Sequence, residues 1–336
     1  MTDSTAPELR VDEPAPAWTG RTDGQGTEHL RWHQVVRPYE GARTEDRGGV
    51  VFLGFSSDEG VERNKGRRGA SEGPKALRGA LGGLAIAGKD SEIRAWDAGT
   101  VAVTDDRMEE GQERLGAAVT TLLDEGRLPI VLGGGHEIAF GTYQGVSNSV
   151  VRKGKKLGVL NLDAHFDLRP DPVPSSGTPF RQMLEAEEAA RTSMQYAVLG
   201  ISQPSNTQIL FDTAEKYGVQ YMLDEDCSVT NSPEVRRFVE SFLDGVDLVY
   251  LTIDLDGLPA STAPGVSAPA AYGVPLEIVQ LACDIVAASG KLAVCDVAEL
   301  NPKYDVDGRT ARSAARLVHR IATTAQNTSA HQQEEQ

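Results

Sequence analysis

The sequence is poor in cysteine and in long apolar runs, and each deficit excludes a class of protein. The 336-residue chain has three cysteines (Cys227, Cys283 and Cys295) and no CxxC pair, so neither a disulfide framework nor a thiolate zinc site is expected. No apolar run approaches the roughly 18 residues of a membrane span, and the N-terminus lacks the basic and apolar regions of a secretion signal. We therefore expect a cytoplasmic protein without a membrane partner.

The sequence also has fewer basic than acidic residues. Lysine and arginine number 33 against 49 aspartates and glutamates, which gives a formal net charge of −16. An acidic surface repels the phosphate backbone and anionic membranes, so we do not expect nucleic acid as a partner. A small-molecule substrate remains compatible with this charge.

The chain divides into an arm, a structured region and a tail. Residues 1–46 are rich in proline, glycine, threonine and charge, which predicts a mobile or loosely docked arm. Residues 47–326 read as a single domain, and residues 327–336 as a flexible tail. In the single domain, short apolar runs typical of doubly buried parallel strands alternate with helical patterns. The predicted strands are 49–55, 93–99, 128–133, 157–162, 196–202, 219–223, 247–253 and 291–297.

The helical patterns between these runs predict an α/β fold. One helix starts at Pro74, and the others lie near 108–126, 137–149, 205–217, 232–244, 275–289 and 309–325. Eight such units fit either a closed barrel or an open three-layer α/β/α sheet, and the pattern does not decide between them.

Three of the predicted strands end in metal-binding side chains. These are His136 in GGGHE, then Asp163, His165 and Asp167 in DAHFD, then Asp254 and Asp256 in TIDLD. Ligands of parallel sheets bind outside the carboxyl ends of the strands, so these side chains converge if the three strands are neighbours. Four carboxylates packed together repel one another, and two divalent ions would neutralise them. The oxygen and nitrogen donors suit an ion such as Mn²⁺.

The motifs GGGHE, DAHFD and TIDLDGLPAS resemble the three signatures of the arginase-like ureohydrolases. The resemblance covers residues 48 to about 325, and it implies a three-layer α/β/α fold with a mostly parallel eight-stranded sheet and two Mn²⁺ per subunit. It also implies a homo-oligomer, commonly a trimer or hexamer in this family. By this resemblance one ion is held by His136, Asp163, Asp167 and Asp254. The other is held by Asp163, His165, Asp254 and Asp256.

The same resemblance assigns two catalytic roles. Asp167 orients the attacking hydroxide and relays its proton, in addition to its role as a ligand. Glu299, in AELNP, is similar to the family carboxylate that faces the cationic NH groups of the substrate. Arginases carry a proton-shuttling histidine after the second motif, whereas this chain has Phe180 there.

Other segments, DAHFDLR, SSGTPFRQ and GISQPSNT, resemble those of formimidoylglutamases. We therefore expect a hydrolase of C–N bonds in linear amidines, which converts N-formimidoyl-L-glutamate to L-glutamate and formamide in histidine degradation. The substrate carries two carboxylates, and arginine suits their recognition. The predicted substrate contacts are Asn64, Arg169 and Arg181, with further cations in the 63–68 loop.

Two alternatives remain open. Another ureohydrolase would act on a guanidino-acid, arginine or agmatine; the cationic loop argues against agmatine, and the missing shuttle histidine argues against arginine. A non-catalytic homologue that binds metal is the other alternative, but such proteins usually lose metal ligands and none is missing here.

Overall fold

The architecture is a nine-stranded sheet between two layers of helices. The computed structural model describes residues 9–41, 48–86, 90 and 92–334. The strands are β1 (Arg37–Pro38), β2 (Val50–Ser56), β3 (Ala95–Ala102), β4 (Leu128–Leu132), β5 (Leu157–Leu162), β6 (Met194–Ile201), β7 (Gln220–Leu223), β8 (Leu248–Asp254) and β9 (Leu292–Ala298). Their order is β1-β3-β2-β4-β9-β8-β5-β6-β7, and every pairing among them is parallel.

The helices cover both faces because side chains alternate along each strand. They are α1 (Trp32–Val35), α2 (Glu59–Arg63), α3 (Gly73–Gly82), α4 (Met108–Asp124), α5 (Ile138–Asn148), α6 (Pro179–Ala190), α7 (Gln208–Lys216), α8 (Ser232–Asp244), α9 (Leu276–Ala288) and α10 (Arg309–Glu334). Val50 and Phe52 of β2 join the core formed with α1, α3, α8, α9 and α10. Val51 and Leu53 face the core formed with α4, α5, α6 and α7.

The fold prediction is confirmed: the sheet is parallel, open and enclosed by helices. The eight predicted strands correspond to β2–β9, and the ninth, β1, comes from the predicted arm. Sequence periodicity did not reveal α6, which follows Thr178 with Pro179 in its first turn. No helix in the described part of the chain combines the length and apolar character needed to cross a membrane.

The prediction of a mobile or loosely docked arm needs correction for residues 9–41, because these residues pack against the sheet. Trp32 is fully buried, and the indole of Trp18 donates a 2.7 Å hydrogen bond to Asp97 of β3. Arg37 and Pro38 pair with β3 as the edge strand. Two indole side chains bury enough apolar surface to hold the segment in place. Residues 1–8 and 42–46 of the predicted arm lie outside the described residues.

The predicted tail is also corrected in part. Helix α10 continues to Glu334, although the sequence suggested that order ends near residue 326. Asn327 donates a hydrogen bond to Asp90 at 3.0 Å, which extends the docked part of the helix past that boundary. Residues 335 and 336 lie outside the described residues.

Candidate metal centre

The metal-binding motifs meet at the carboxyl edge of the sheet, but not through three neighbouring strands. Strands β5 and β8 are adjacent, whereas β9 lies between β8 and β4. The loop after β4 carries His136, and the loop after β9 brings Glu299 to the same place. Glu299 Oε1 accepts a 2.9 Å hydrogen bond from the backbone N–H of His136. The intervening strand therefore adds a carboxylate to the site.

One imidazole nitrogen is surrounded by three carboxylates. His136 Nδ1 lies 3.0 Å from Asp167 Oδ2, 3.0 Å from Asp254 Oδ2 and 3.2 Å from Asp163 Oδ2. The four side chains offer ligand atoms that all lie within 4.8 Å of one another. This first group contains the four residues that the family resemblance assigned to one ion.

A second group lies beside the first and shares Asp163 with it. His165 Nδ1 is 3.5 Å from Asp163 Oδ1 and 3.4 Å from Asp256 Oδ2. These three residues form the group that the described chain offers to a second ion. Asp254, which the family resemblance also assigned to that ion, belongs only to the first group. A ligand role of each residue remains a prediction.

The carboxylates of the site are buried close together, which disfavours their charged forms and shifts several of their pKa values. Burial and the nearby Asp163 carboxylate raise the pKa of Asp167 to about 6. Burial and Asp254 raise the pKa of Asp256 well above its ordinary value. Burial alone would lower the pKa of His136, but the carboxylates around it raise it well above its usual range. Each shift favours the protonated form of its group, and a bound cation would offset the same excess of negative charge.

The donor atoms fit a divalent metal ion. His136 Nδ1 and Asp256 Oδ1 are buried and have no hydrogen-bond partner among the described residues. Buried polar atoms are rarely left unpaired, so both are available as ligands. Imidazole nitrogen and carboxylate oxygen without sulfur suit Mn²⁺ and similar ions.

Two acidic residues of the site adopt left-handed backbone conformations. Asp167 has a φ of 48° and Glu299 a φ of 68°, which are uncommon for residues with a side chain. Such conformations cost free energy and persist where surrounding contacts impose them, often at functional sites. Glu299 is held by its N–H, which donates to Gly134 O at 2.8 Å. Both residues line the cavity.

A cavity of about 310 Å³ opens from the metal-binding groups. Its lining includes His136, His165, Asp167, Asp254, Asp256 and Glu299 at the acidic end. Asn64 and Arg169, two of the three predicted substrate contacts, also line it. The Asn64 amide donates to Ser176 Oγ at 3.1 Å, whereas the Arg169 guanidinium has no hydrogen-bond or ion-pair partner in the described part of the chain. Arg169 is therefore available to an anion.

Arg181 is not brought to the cavity, which corrects its predicted placement. It lies in the first turns of α6 and donates to Glu185 Oε1, four residues later, at 2.7 Å. The adjacent Phe180 is fully buried, stacks on Tyr196 and meets the His136 ring edge-on at a centroid distance of 5.3 Å. Helical geometry turns consecutive residues to different faces, so the loop motif alone could not locate Arg181.

The cations of the 63–68 loop also differ in their surroundings. Arg63 pairs with Glu59 and Glu109, and Arg68 pairs with Glu59 and Glu62 of α2. Arg67 lines the cavity, but its guanidinium donates to backbone carbonyls of residues 266 and 267 and lies 4.0 Å from the centre of the Tyr304 ring. Lys65 lines the cavity with a φ of 62°. The loop therefore contributes two cations to the cavity wall.

Sequence reasoning missed two residues that hold the site together. Glu137 is fully buried, and its Oε1 accepts hydrogen bonds from Ser57 Oγ at 2.6 Å and from Gly60 N at 3.0 Å. Asn206 donates to Ala164 O at 2.9 Å and accepts from Phe166 N at 3.1 Å. Glu137 thus joins the His136 loop to α2, and Asn206 supports DAHFD. The GISQPSNT motif contained Asn206, but its partner is 42 residues away.

Comparison with known proteins agrees with this geometry. The sequence profile of the arginase family matches residues 48–323. The formimidoylglutamase of Rhodococcus opacus is 66% identical over 311 residues, which cover 92% of this chain and 96% of that relative. The formimidoylglutamase of Nocardia farcinica is 62% identical over 311 residues, which cover 92% of this chain and 97% of the relative.

Solved structures share the fold. The crystal structure of Trypanosoma cruzi formiminoglutamase with Mn²⁺ matches with a TM-score of 0.75 and 28% identity, covering 85% of this chain and 95% of that one. Arginase from Bacillus subtilis matches with a TM-score of 0.69 and 24% identity, covering 82% and 98%, and supports the fold alone. On the profile match and the identity to these relatives, the chain belongs to the arginase family.

Proposed function

We propose that this protein hydrolyses N-formimidoyl-L-glutamate to L-glutamate and formamide, a step of histidine degradation. The observation that carries the proposal is one cavity whose lining contains both an acidic cluster and basic or amide side chains. The acidic part consists of the buried metal-binding groups and Glu299, and the rest of the lining includes Asn64, Lys65, Arg67 and Arg169. The substrate carries complementary groups, namely a cationic amidinium and two carboxylates. Relatives that are 62–66% identical are named formimidoylglutamase, which supports this substrate.

The proposed cofactor is a pair of Mn²⁺ ions held by His136, Asp163, Asp167 and Asp254 on one side and by Asp163, His165 and Asp256 on the other. A similar fold, that of Trypanosoma cruzi formiminoglutamase, was solved with Mn²⁺. When bound, such an ion pair lowers the pKa of water and so supplies a hydroxide equivalent at neutral pH.

In the proposed reaction the protein orients the amidine and moves the protons of water. The carboxylate of Glu299, which is 4% exposed, faces the cationic NH groups. The oxygen of water bonds to the formimidoyl carbon, and the bond from that carbon to the glutamate nitrogen breaks. The formamide nitrogen keeps the two protons that it has in the amidinium, so both protons of water end on the glutamate nitrogen, which leaves as an ammonium group. Asp167 relays protons to this nitrogen, because no histidine stands where arginases have their shuttle.

Carboxylate recognition is assigned to Asn64 and Arg169. Gly177 allows both to approach, because a Cβ atom there would lie 2.8 Å from Arg169 Cδ and 3.2 Å from Asn64 Nδ2. The absence of a side chain lets the guanidinium and the amide lie against one loop. A planar guanidinium binds a carboxylate through two parallel hydrogen bonds, which is stronger and more directional than a single contact.

A side-by-side turnover assay tests the proposal. Manganese-loaded enzyme is given formimidoylglutamate, arginine, agmatine or guanidinobutyrate, and released amine or urea is measured. We expect formimidoylglutamate to have the highest kcat/KM. Equal turnover of agmatine would contradict carboxylate recognition, and a lack of turnover of all four compounds would favour a non-catalytic homologue.

We further propose that the protein works in the cytoplasm as a homo-oligomer, by family resemblance a trimer or hexamer. All three cysteines are buried as free thiols, which suits a reducing compartment. Light scattering on the purified protein tests the oligomeric state, and a monomer would contradict it.

A further inference from the structure

The imidazole of His136 is held at both nitrogens, by different kinds of group. Nδ1 faces three carboxylate oxygens at 3.0–3.2 Å, within the metal-binding group. Nε2 lies 3.1 Å from Thr252 Oγ1, on the opposite side of the ring. His136 is 1% exposed and Thr252 is fully buried, so water does not compete for the second contact.

Thr252 is backed by a buried carboxylate that the proposed reaction does not use. Thr252 of β8 and Asp296 of β9 are paired in the parallel register. Asp296 is fully buried, and its Oδ2 accepts a 2.6 Å hydrogen bond from Tyr250. Burial raises the pKa of Asp296, and the nearby Thr252 hydroxyl acts against that rise. Asp296 Oδ1 is buried and has no hydrogen-bond partner among the described residues. Neither Thr252 nor Asp296 lines the cavity.

This chain of groups fixes where the imidazole carries its proton. A neutral imidazole has one N–H, and a metal ligand nitrogen must have none, so ligation through Nδ1 requires the proton on Nε2. The Nε2–H then needs an acceptor, and the Thr252 oxygen is the nearest one. The hydroxyl can rotate its own proton towards Asp296, its register partner on β9, whose Oδ1 has no hydrogen-bond partner among the described residues.

We propose that Thr252 and Asp296 are positioning residues that hold His136 with its Nδ1 lone pair directed at a divalent ion. The inference rests on the metal centre of the proposed function. Backing groups of this kind set the tautomer and orientation of a histidine ligand. His165, by contrast, has no partner for Nε2 among the described residues. Loss of the Thr252 hydroxyl therefore weakens the ion bound by the His136 group and leaves the other ion in place.

The test compares Thr252→Val, which removes the hydroxyl and keeps the shape, with Thr252→Ser, which keeps the hydroxyl. Mn²⁺ binding to metal-stripped protein is measured by calorimetry, and activity is measured as a function of Mn²⁺ concentration. For Thr252→Val we expect one of the two sites to bind about ten- to a hundredfold more weakly. Excess Mn²⁺ should restore kcat, and Thr252→Ser should bind close to wild type.

The control is Thr323→Val, the same change at a buried threonine whose hydroxyl bonds within α10. Wild-type affinity in Thr252→Val, or an equal loss in Thr252→Ser, would overturn the inference. If Thr252→Val does not fold, Asp296→Asn is measured in its place. We then expect weaker Mn²⁺ binding at the same site, and unchanged binding would contradict the inference. Wild-type protein that binds two ions without hydrolysing formimidoylglutamate would refute the proposed function and leave this inference standing.

Discussion

Asp163 is the side chain that connects the two metal-binding groups. Its Oδ2 faces His136 and accepts from Asn161 at 2.9 Å, whereas its Oδ1 faces His165 and accepts from that residue's N–H at 2.7 Å. Burial alone would raise its pKa, but the neighbouring imidazoles of His136 and His165 lower the pKa of Asp163 below its ordinary value. Both oxygens are thus oriented as acceptors before any ion binds.

Asp163→Asn should therefore remove both ions, while Asp256→Asn should mainly weaken one. An amide presents one poorer oxygen ligand and carries no charge to offset the ion. Metal content after dialysis is measured by mass spectrometry, with Asp171→Asn on the exposed neighbouring loop as control. Two ions retained by Asp163→Asn would contradict the shared role. Asp254→Asn tests whether Asp254 binds one ion or both. The observed groups predict the loss of one ion, whereas the family resemblance predicts the loss of both.

Arg169 and Arg181 form a matched pair for substrate binding. Arg169→Ala should lower kcat/KM for formimidoylglutamate about ten- to a hundredfold, because a charge-assisted hydrogen bond contributes roughly 1.5–3 kcal/mol. Arg181→Ala should change it little, since Arg181 bonds to Glu185 outside the cavity. Metal content should be unchanged in both. An equal loss of kcat/KM in the two variants would contradict the assignment of substrate binding to Arg169 rather than Arg181.

At the scale of elements, one buried ion pair takes part in the docking of the arm. Arg78 of α3 donates to Asp97 of β3 at 2.7 and 3.0 Å, and Trp18 donates to the same carboxylate. Asp97 is 1% exposed, so its partners replace water completely. A helix, a strand and the arm therefore share one carboxylate.

Asp97→Asn should lower the free energy of unfolding by about 3–5 kcal/mol, because it leaves the Arg78 charge buried and uncompensated. Urea denaturation of the purified variant measures the change. Asp284→Asn is the control, because it breaks the partly exposed pair with Arg320 and should cost at most about 1 kcal/mol. A cost for Asp97→Asn as small as that of the control would show that the arm is held by apolar contacts alone.

Helix α10 meets the arm through a hydrogen bond that depends on pH. Trp32 Nε1 donates to His319 Nδ1 at 2.9 Å, so His319 must be neutral at that nitrogen. Burial lowers the pKa of His319 below 6.5, and the folded protein then binds fewer protons than the unfolded chain in that range. The contribution of His319 to stability is present above pH 6.5 and is lost as the pH falls through its folded-state pKa.

Wild-type protein should thus lose more stability than His319→Gln between about pH 8 and about pH 5. Glutamine keeps an acceptor for Trp32 but does not titrate in this range. Chemical denaturation at each pH gives the difference, with His29→Gln, a half-exposed histidine of the arm, as reference. Parallel curves for wild type and His319→Gln would contradict the assignment.

At the scale of the whole molecule, the centre joins distant parts of the chain. Its proposed ligands lie at or just after the ends of β4, β5 and β8, and Glu299 follows β9, so the ions would bind only when these four strands are in register. The net charge of −16 also makes the acidic cluster expensive for the folded protein. Metal binding should therefore stabilise the entire sheet.

Addition of Mn²⁺ to metal-stripped protein should raise the melting temperature by about 5 °C or more, since a ligand at a hundredfold excess over Kd contributes about 2.7 kcal/mol per site. Scanning fluorimetry with and without a chelator measures the shift. Asp163→Asn should abolish it. A shift that persists in this variant would point to metal bound elsewhere.

The sequence by itself determined the strands and the motifs that follow them. The apolar run LGVLNL and the similar runs along the chain predicted the eight strands β2–β9, because a run buried on both faces is visible locally in the sequence. The carboxyl-edge rule then indicated where His136, Asp163 and Asp254 would lie, and the family resemblance identified Glu299.

Only the tertiary structure decided which side chains reach the cavity and which elements pack together. Four features depend on partners that are far away in the sequence. They are the position of β9 between β4 and β8, the presence of Arg169 but not Arg181 at the cavity, the docking of Trp32, and the contact of His136 with Thr252. Trp32 and His319, for example, are 287 residues apart. A local pattern fixes the face on which a residue lies, but its partner is fixed by strand order and helix packing, which arise from the whole chain at once.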